Sequence, residues 1–422
     1  MIQQPQHAAE QTEPVTLDPL AMTSAEFVRA AGNLGVAADP ARRAYRAFFR
    51  EGDREAPFPG RLDALCRVRS EVAPIVKELE EQTPEGTIRK FVQRLPGPTG
   101  ATGRSPVPEN SGASKDLPYF DIEAVQIPMI GRRGVKSHTL CVSSQVGCAM
   151  GCDFCETAQM GLVRSLTPAE IVGQWWASTH ERGATVKNIV FMGMGEPLDN
   201  VEAVIEAIGI LTDHNGPCVP MTNITVSTVG KAAGMRRLCE QMEKPGWRKL
   251  GIAISINAPN DEVRSSIMPI NRATPMAELR DLIASVPYVG THRKICFGYV
   301  LIPGVNDRKE HAAELAEYLR PFTASGSEDG KHRGMLNLIP YNPRRDSPWP
   351  APYEDAVEEF LGWVRDEGVF AKRRRTKGRD SMAACGQLGT EEVRKRKFVG
   401  LRIDGENPHP TQTAGHACHK EP

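Results

Sequence analysis

The chain has no excess of either charge: 52 Lys and Arg stand against 52 Asp and Glu in 422 residues. No overall field therefore draws it to a polyanion. It has no apolar run near the roughly 20 residues that cross a bilayer. Residues 1–14 are polar and lack the apolar centre of a signal peptide. Ten cysteines in a chain of this size, four of them crowded into residues 141–155, do not resemble a disulfide scaffold and point to a reducing cytoplasm. No second close pair of cysteines follows that group, so the four-ligand pattern of a structural zinc site is missing.

What is present is the stretch Cys141-Val-Ser-Ser-Gln-Val-Gly-Cys-Ala-Met-Gly-Cys-Asp-Phe-Cys155. Its last three cysteines, Cys148, Cys152 and Cys155, have the spacing C-x3-C-x2-C, which brings three thiolates together on a tight loop. Thiolates are soft ligands for zinc or iron-sulfur clusters. Three of them on a cubane of four irons leave one iron open to a substrate, unlike a four-cysteine ferredoxin. The triad is the signature of the radical S-adenosylmethionine (radical-SAM) superfamily.

The length suits one large α/β domain plus a smaller one. Residues 1–20, rich in Gln, Glu and Pro, read as a disordered tail. From 21 to 85 the apolar residues Phe27, Ala30, Ala31, Tyr45, Phe48 and Phe49 recur at helical spacing, with Thr23 as an N-cap, giving a small helical domain. Arg42, Arg43, Arg46 and Arg50 make it a candidate for substrate docking. Residues 86–130 read as a β-hairpin region, with a Pro, Gly, Ser and Thr-rich flexible insertion at 96–116.

Across 134–388 strands and helices alternate. Candidate strands are 138–144, 188–194, 223–229, 250–257, 295–302 and 335–341, and the helices between them begin near Thr167, Asn200, Lys231, Pro275, Arg308 and Tyr353. Near-continuous apolar strands are those of a parallel sheet covered on both faces. Six such units predict an α/β fold, a partial (βα)6 barrel, whose strand C-termini carry the chemistry. Polar and glycine-rich residues cluster there: Gly195 and Glu196 after the second strand, Ser227 on the third, Ser255 and Asn257 on the fourth, Asn342 after the sixth. At Gly193 and Gly195 the backbone is expected to approach a ligand, and the Glu196 carboxylate to take an ammonium. Two basic runs follow, one from Lys372 to Arg379 and the other at 394–397, suited to solvent or to phosphates. The tail at 398–422 reads as disordered.

Taken together, Cys141-Val-Ser-Ser-Gln-Val-Gly-Cys148, Cys155-Glu-Thr-Ala-Gln-Met-Gly161, Met192-Gly-Met-Gly-Glu-Pro197, Ala258-Pro-Asn-Asp261 and Ala383-Ala-Cys-Gly-Gln-Leu388 resemble the RlmN/Cfr family of radical-SAM adenine methyltransferases, over residues 88–388. The resemblance implies methylation of carbon 2 or carbon 8 of an adenine in 23S ribosomal RNA, and for RlmN-type members of some transfer RNAs. It implies one 4Fe-4S cluster on Cys148, Cys152 and Cys155, SAM bound by Gly195, Glu196, Ser227, Ser255, Ile256, Asn257 and Asn342, a reductant such as flavodoxin or ferredoxin, and a monomer. Cys385 would take a methyl from one SAM. A second SAM, reductively cleaved, would give the radical that activates the S-methyl group for addition to the adenine. Glu123 would then remove a proton, and Cys141 would attack the sulfur of Cys385 to release the product.

Three departures stand out. The fourth strand ends Ser255-Ile-Asn257 where the family has Ser-Leu-His; the 129–138 segment is longer than usual; and the insertion at 96–116 is foreign to the family. Carbon 2 of 23S rRNA is the favoured target, with carbon 8, transfer RNA alone, a non-catalytic RNA-binding iron-sulfur protein, or radical chemistry on a protein or small molecule as rivals. Simple RNA binding needs none of Cys141, Cys385 and Glu123.

Overall fold

Ten strands form one sheet in the computed structural model, which describes residues 15–54, 66–68, 70–97, 119–131, 134–287, 295–324, 333–374, 378 and 382–389. In chain order they are β1 (Ile75–Thr83), β2 (Gly86–Pro96), β3 (Tyr119–Ile130), β4 (Lys136–Cys141), β5 (Val186–Phe191), β6 (Ile224–Thr228), β7 (Gly251–Ser255), β8 (Ile295–Leu301), β9 (Gly334–Pro340) and β10 (Ala371–Arg373). Each lies beside its neighbour in sequence. From β4 to β10 the pairs are parallel. From β1 to β4 they are antiparallel. The six predicted barrel strands are β4 to β9, and the fold is a partial α/β barrel extended by an antiparallel ribbon.

The crossover helices are α3 (Pro168–Trp176), α4 (Val201–Leu211), α5 (Ala232–Met242), α7 (Met276–Ala284), α8 (Lys309–Leu319) and α9 (Glu354–Asp366), with the short α6 (Asp261–Ile267) after β7. Thr167 starts α3 by a capping box in which its Oγ1 accepts the Glu170 N–H and the Glu170 side chain accepts the Thr167 N–H. The six predicted helix starts are the observed ones. Parallel strands buried on both faces leave apolar residues on each side, and Ile189, Phe191, Val226, Ile254, Phe297, Leu336 and Leu338 are all buried in one core. A second apolar cluster, with Met150, Phe154, Ile267, Met268, Ile302 and Tyr341, lies around the thiol loop.

The N-terminal region departs from expectation in two respects. Its helical part, α1 (Ser24–Asn33) and α2 (Ala38–Arg46), ends in a wide turn at Ala47–Glu51, and Ile75–Thr83 is strand β1 rather than helix. Spacing in so short an apolar run fits either periodicity, and eight backbone register pairs with β2 decide for the strand. The expected tail at 1–20 is ordered in part: Val15–Leu17 pairs with Cys66–Val68, and Leu17 and Leu20 are buried. Residues 1–14, most of the 96–116 insertion and the tail at 398–422 lie outside the described residues. Of the candidate docking arginines, Arg43, Arg46 and Arg50 are exposed and Arg42 is half-buried; Arg42 pairs with Asp39, Arg46 donates to Asn215 Oδ1 at 2.8 Å and Arg50 to the His214 carbonyl at 2.6 Å. These helices are fixed to the barrel by stacking, with Phe48 5.7 Å from Trp176 and the Trp176 indole donating to Phe48 O.

Among the described residues no helix is long and apolar enough to cross a membrane.

Candidate active site

The thiol loop leaves the C-terminal end of β4, where a parallel barrel gathers its loops. Ser143 anchors it: its hydroxyl donates to Glu123 O at 2.6 Å and accepts the Met194 N–H, while Gln174 binds its backbone. Beyond it, Gln145–Gly147 pairs with Leu162–Ser165, and the Cys148 N–H is held by Gly161 O. Gly147 takes φ +75°, and a Cβ there would stand 1.8 Å from Gly161 O, so only glycine closes this turn. Cys148, Cys152 and Cys155 all line one cavity of about 180 Å³. Burial pushes each thiol up, and for Cys148 and Cys152 the neighbouring thiols push further in the same direction. Three soft donors that oppose one another's ionisation in a dry cavity need a cation to become thiolates together.

The donor set distinguishes the kinds of metal. Among the described residues no three His, Cys, Asp or Glu side chains close on a single ion. One tetrahedral zinc would need its thiolates about 4 Å apart, given bonds of about 2.3 Å. In an iron-sulfur cubane each cysteine takes a different iron, and the sulfurs stand wider apart. Cys148, Cys152 and Cys155 would hold a 4Fe-4S cluster, one thiolate to each of three irons.

The same cavity is lined by Gly195, Glu196, Ser227, Ser255, Asn257, Asn342 and Cys385. All but one of the predicted SAM residues are thereby brought together. The exception is Ile256, whose side chain is fully buried in the core and whose carbonyl is bound by Arg264. Gly193 and Gly195 both line this cavity, and they also allow a close approach within the protein. A Cβ on Gly195, at φ +97°, would meet Gln145 Cβ at 2.5 Å, and one on Gly193 would meet the Val142 backbone at 2.7 Å. They let the ends of β4 and β5 touch. Glu196 is fixed by the backbone, Oε1 accepting the Leu198 N–H and Oε2 the Val229 N–H, each at 3.0 Å, and each oxygen keeps a second acceptor site. Burial pushes its carboxyl up to about 7. Asn257, where the family has histidine, adopts φ +59°. Its Oδ1 accepts the Val300 N–H at 3.0 Å and its Nδ2 faces Met268 Sδ at 3.5 Å.

A second cavity, of about 340 Å³, is lined by Ile127, Met129, Thr139, Cys141, Ala383, Ala384 and, again, Cys385. Met192, Ile339, Asn342, Arg374 and Leu388 border both cavities. Cys385 is thus at their junction, with the thiol triad on one side and Cys141 on the other. The Cys141 thiol is pushed up to about 12, first by burial and then by the charge of Cys385, with Arg374 opposing. Glu123 lines neither cavity; it lies on the same face of β3 as Ile127 and Met129, buried, and its Oε2 accepts the Gly389 N–H at 3.0 Å.

Sequence reasoning passed over three side chains. Arg374 was hidden in the basic run, yet it sits against Cys385, Cys141 and Cys296 and contacts Met192 Sδ at 3.9 Å. Arg375, Lys377, Arg379 and residues 394–397 of the basic runs lie outside the described residues. Cys296 on β8 lines the first cavity. Arg264 is fully buried and joins the ends of β6 and β7, with Nη2 on Val229 O at 2.6 Å and Nε on Ile256 O at 3.1 Å. A lone polar residue on a short helix gives no periodic signal.

A sheet of this order with three thiols at its C-terminal rim defines a radical-SAM enzyme, and the Radical SAM superfamily model matches residues 142–316. The probable dual-specificity RNA methyltransferase RlmN 1 of Protochlamydia amoebophila is 40% identical over 289 residues, 68% of this chain and 75% of that protein. The dual-specificity RNA methyltransferase RlmN 2 of Myxococcus xanthus is 37% identical over 367 residues, 84% of this chain and 85% of its own length. The crystal structure of a radical SAM methyltransferase from Sphaerobacter thermophilus superposes with a TM-score of 0.69 at 32% identity, covering 89% of this chain and 99% of that one. The chain belongs to the RlmN family of radical-SAM RNA methyltransferases.

Proposed function

We propose that this enzyme methylates carbon 2 of an adenine in 23S ribosomal RNA, with Cys385 carrying the methyl group. The observation that supports this most is the position of Cys385 at the junction of two cavities, one holding the thiol triad and the polar SAM residues, the other holding Cys141. An aromatic ring carbon is a poor nucleophile, so methylating it takes a radical route. Cys148, Cys152 and Cys155 would hold a four-iron cluster, which would supply the electron for reductive cleavage of SAM.

The protein's own groups do the rest. Cys385 Sγ accepts a methyl from SAM in the first cavity and presents it, as a carbon radical after hydrogen abstraction, to the adenine in the second. The mostly apolar walls given by Ile127, Met129 and Leu388 exclude water from that encounter. The adduct's odd electron would return to the oxidised iron-sulfur centre as Glu123 removes the proton from the ring carbon. Cys141, as thiolate, attacks the sulfur of Cys385; the carbon leaves with the bonding pair, takes up a proton to become the methyl group, and a Cys141–Cys385 disulfide remains, which a reductant such as ferredoxin or flavodoxin, or a thiol system of a reducing cytoplasm, must open. The polar rim of Ser227, Ser255, Asn257 and Asn342 orients SAM, and the reaction needs a single chain.

The test is nucleoside mass spectrometry of unmodified 23S and transfer RNA after anaerobic incubation with the cluster-loaded protein, SAM and a reductant. 2-Methyladenosine that is absent with Cys385→Ala supports the reading, and 8-methyladenosine moves the target atom. SAM cleavage without any methylated adenosine in either RNA refutes it.

A further inference from the structure

Lysine is rarely buried without a partner, yet the Lys90 side chain is 5% exposed. It sits on β2 opposite Val125 of β3, with Glu123 on the diagonal, so Lys90 and Glu123 share one face of the sheet. Val125 pairs in turn with Cys141 on β4, which makes this the face that carries Cys141. Lys90 Nζ donates to the Met382 carbonyl at 2.9 Å and lies 3.5 Å from Glu123 Oε1. The other oxygen of that carboxylate accepts the Gly389 N–H. Met382 lies three residues before Cys385 and Gly389 four after it, so a single buried ion pair holds the chain on both sides of Cys385. Met382 has φ +50°, a backbone state that a non-glycine residue keeps only under constraint.

The geometry points to Lys90 as a positioning residue of the methyl transfer: the Lys90–Glu123 pair clasps the chain on both sides of Cys385, at Met382 and Gly389, and thereby fixes Sγ at the junction of the cavities. This rests on Cys385 being the methyl carrier. The middle of the loop has its own attachments: the Glu156 N–H to Gly386 O at 2.7 Å, Thr157 Oγ1 to Leu388 O at 2.6 Å, and Gln387 Nε2 to Pro343 O at 3.0 Å. Without the clasp the loop therefore stays docked on the thiol loop but pivots about it. A cation is required at position 90, because a neutral group would leave the Glu123 charge buried and unpaired.

The experiment compares wild type with Lys90→Met, Lys90→Gln and Lys90→Arg as cluster-loaded full chains without SAM. The rate of maleimide addition to Cys385 is followed by peptide mass spectrometry, with exposed Cys218 as the internal reference. Loss of a charge-assisted hydrogen bond predicts at least about a tenfold rise in the Cys385 rate for Lys90→Met, with Cys218 unchanged. Lys90→Arg restores the rate to within about twofold of wild type. Lys90→Gln, too short to reach Met382, matches Lys90→Met and answers the question if the Met variant does not fold. The same preparations, given SAM, reductant and RNA, are expected to lose RNA methylation in the Met and Gln variants and to regain it in Arg. Cys385 addition that is unchanged in both the Met and Gln variants overturns the clasp. Failure of wild type itself to methylate RNA strikes the proposed function and leaves the addition rates to judge the clasp.

Discussion

Arg264→Met tests whether the rim of the first cavity, proposed to bind SAM, is held by one buried guanidinium. Arg264 is 0% exposed and reaches Val229 O at 2.6 Å, Asn271 Oδ1 at 2.9 Å and Ile256 O at 3.1 Å, with longer contacts to Ser255 O and Thr274 O. Burial lowers its pKa, but a guanidinium remains charged at any working pH. Methionine fills similar volume and supplies no donor, so three good acceptors lose their partner. At about 1–3 kcal/mol for each buried group left unsatisfied, and with some relaxation of the loop, the loss is about 4 kcal/mol. A large chain with a cluster does not unfold in two states, so the fitting observable is the melting temperature. A decrease of about 8 °C is expected from the usual scaling, read at its lower end because of chain length. Val229 and Ser255–Asn257 flank the cavity, so SAM affinity, measured by equilibrium dialysis against the cluster-loaded protein, falls about tenfold or more. A melting temperature within 2 °C of wild type together with unchanged SAM affinity would refute the idea that this guanidinium sets the rim.

Cys141→Ala leaves the first methyl transfer intact and removes the thiol that releases the product, so a covalent protein–RNA species accumulates and is visible as a shifted band on a denaturing gel; free methylated RNA at the wild-type rate would exclude Cys141 from release. Arg374→Met removes the cation that opposes the upward shift of the Cys141 thiol, so formation of the Cys141–Cys385 disulfide under mild oxidant slows at pH 8 and its rate profile moves to higher pH, while Arg374→Lys moves it less. Gly195→Ala forces φ +97° on an L residue and presses a methyl onto Gln145, at a cost of about 1–3 kcal/mol; iron content is retained and SAM cleavage falls. Glu196 has a folded pKa of about 7 against an ordinary 4.5, so its ionisation costs the folded state and wild-type stability falls as pH rises from 4.5 to 7. In cluster-free protein Glu196→Gln removes this loss, roughly 3 kcal/mol, and flattens the melting temperature over that window.

The parallel part of the fold was legible because burial on both faces writes unbroken apolar runs, such as Ile189-Val190-Phe191 and Ile252-Ala253-Ile254, and because Thr167 and Pro275 mark helix starts. Strand β1 was not. Its two faces are both half open, so Ile75, Leu79 and the glutamates between them carry no clean period of two. Strand β10 was read as a basic run because it has only three residues, and its place at the edge comes from register with Leu336–Leu338 rather than from any apolar pattern of its own. In the site, residues whose chemistry is written in spacing, above all the thiol triad, were found. Arg264, Arg374 and Lys90 act by burial, and burial of a charged side chain leaves no local trace in sequence.

The curvature of the sheet follows from its order and one hydrogen bond. Met192 directly follows β5 and Arg374 directly follows β10, five positions away in a sheet whose strands are ordered as in sequence. In a flat sheet five spacings of about 4.8 Å would separate them by about 24 Å. Arg374 Nη1 is nevertheless 3.9 Å from Met192 Sδ, closer than these two side chains could bridge across a flat sheet, so the sheet must curl. Arg374, next to β10, and Cys141, at the end of β4, border the same cavity for the same reason. The second cavity is therefore a product of the curl and of the loop that spans it. A change that flattens the sheet at the β3–β4 step would separate Cys141 from Cys385 without touching either thiol or the cluster loop.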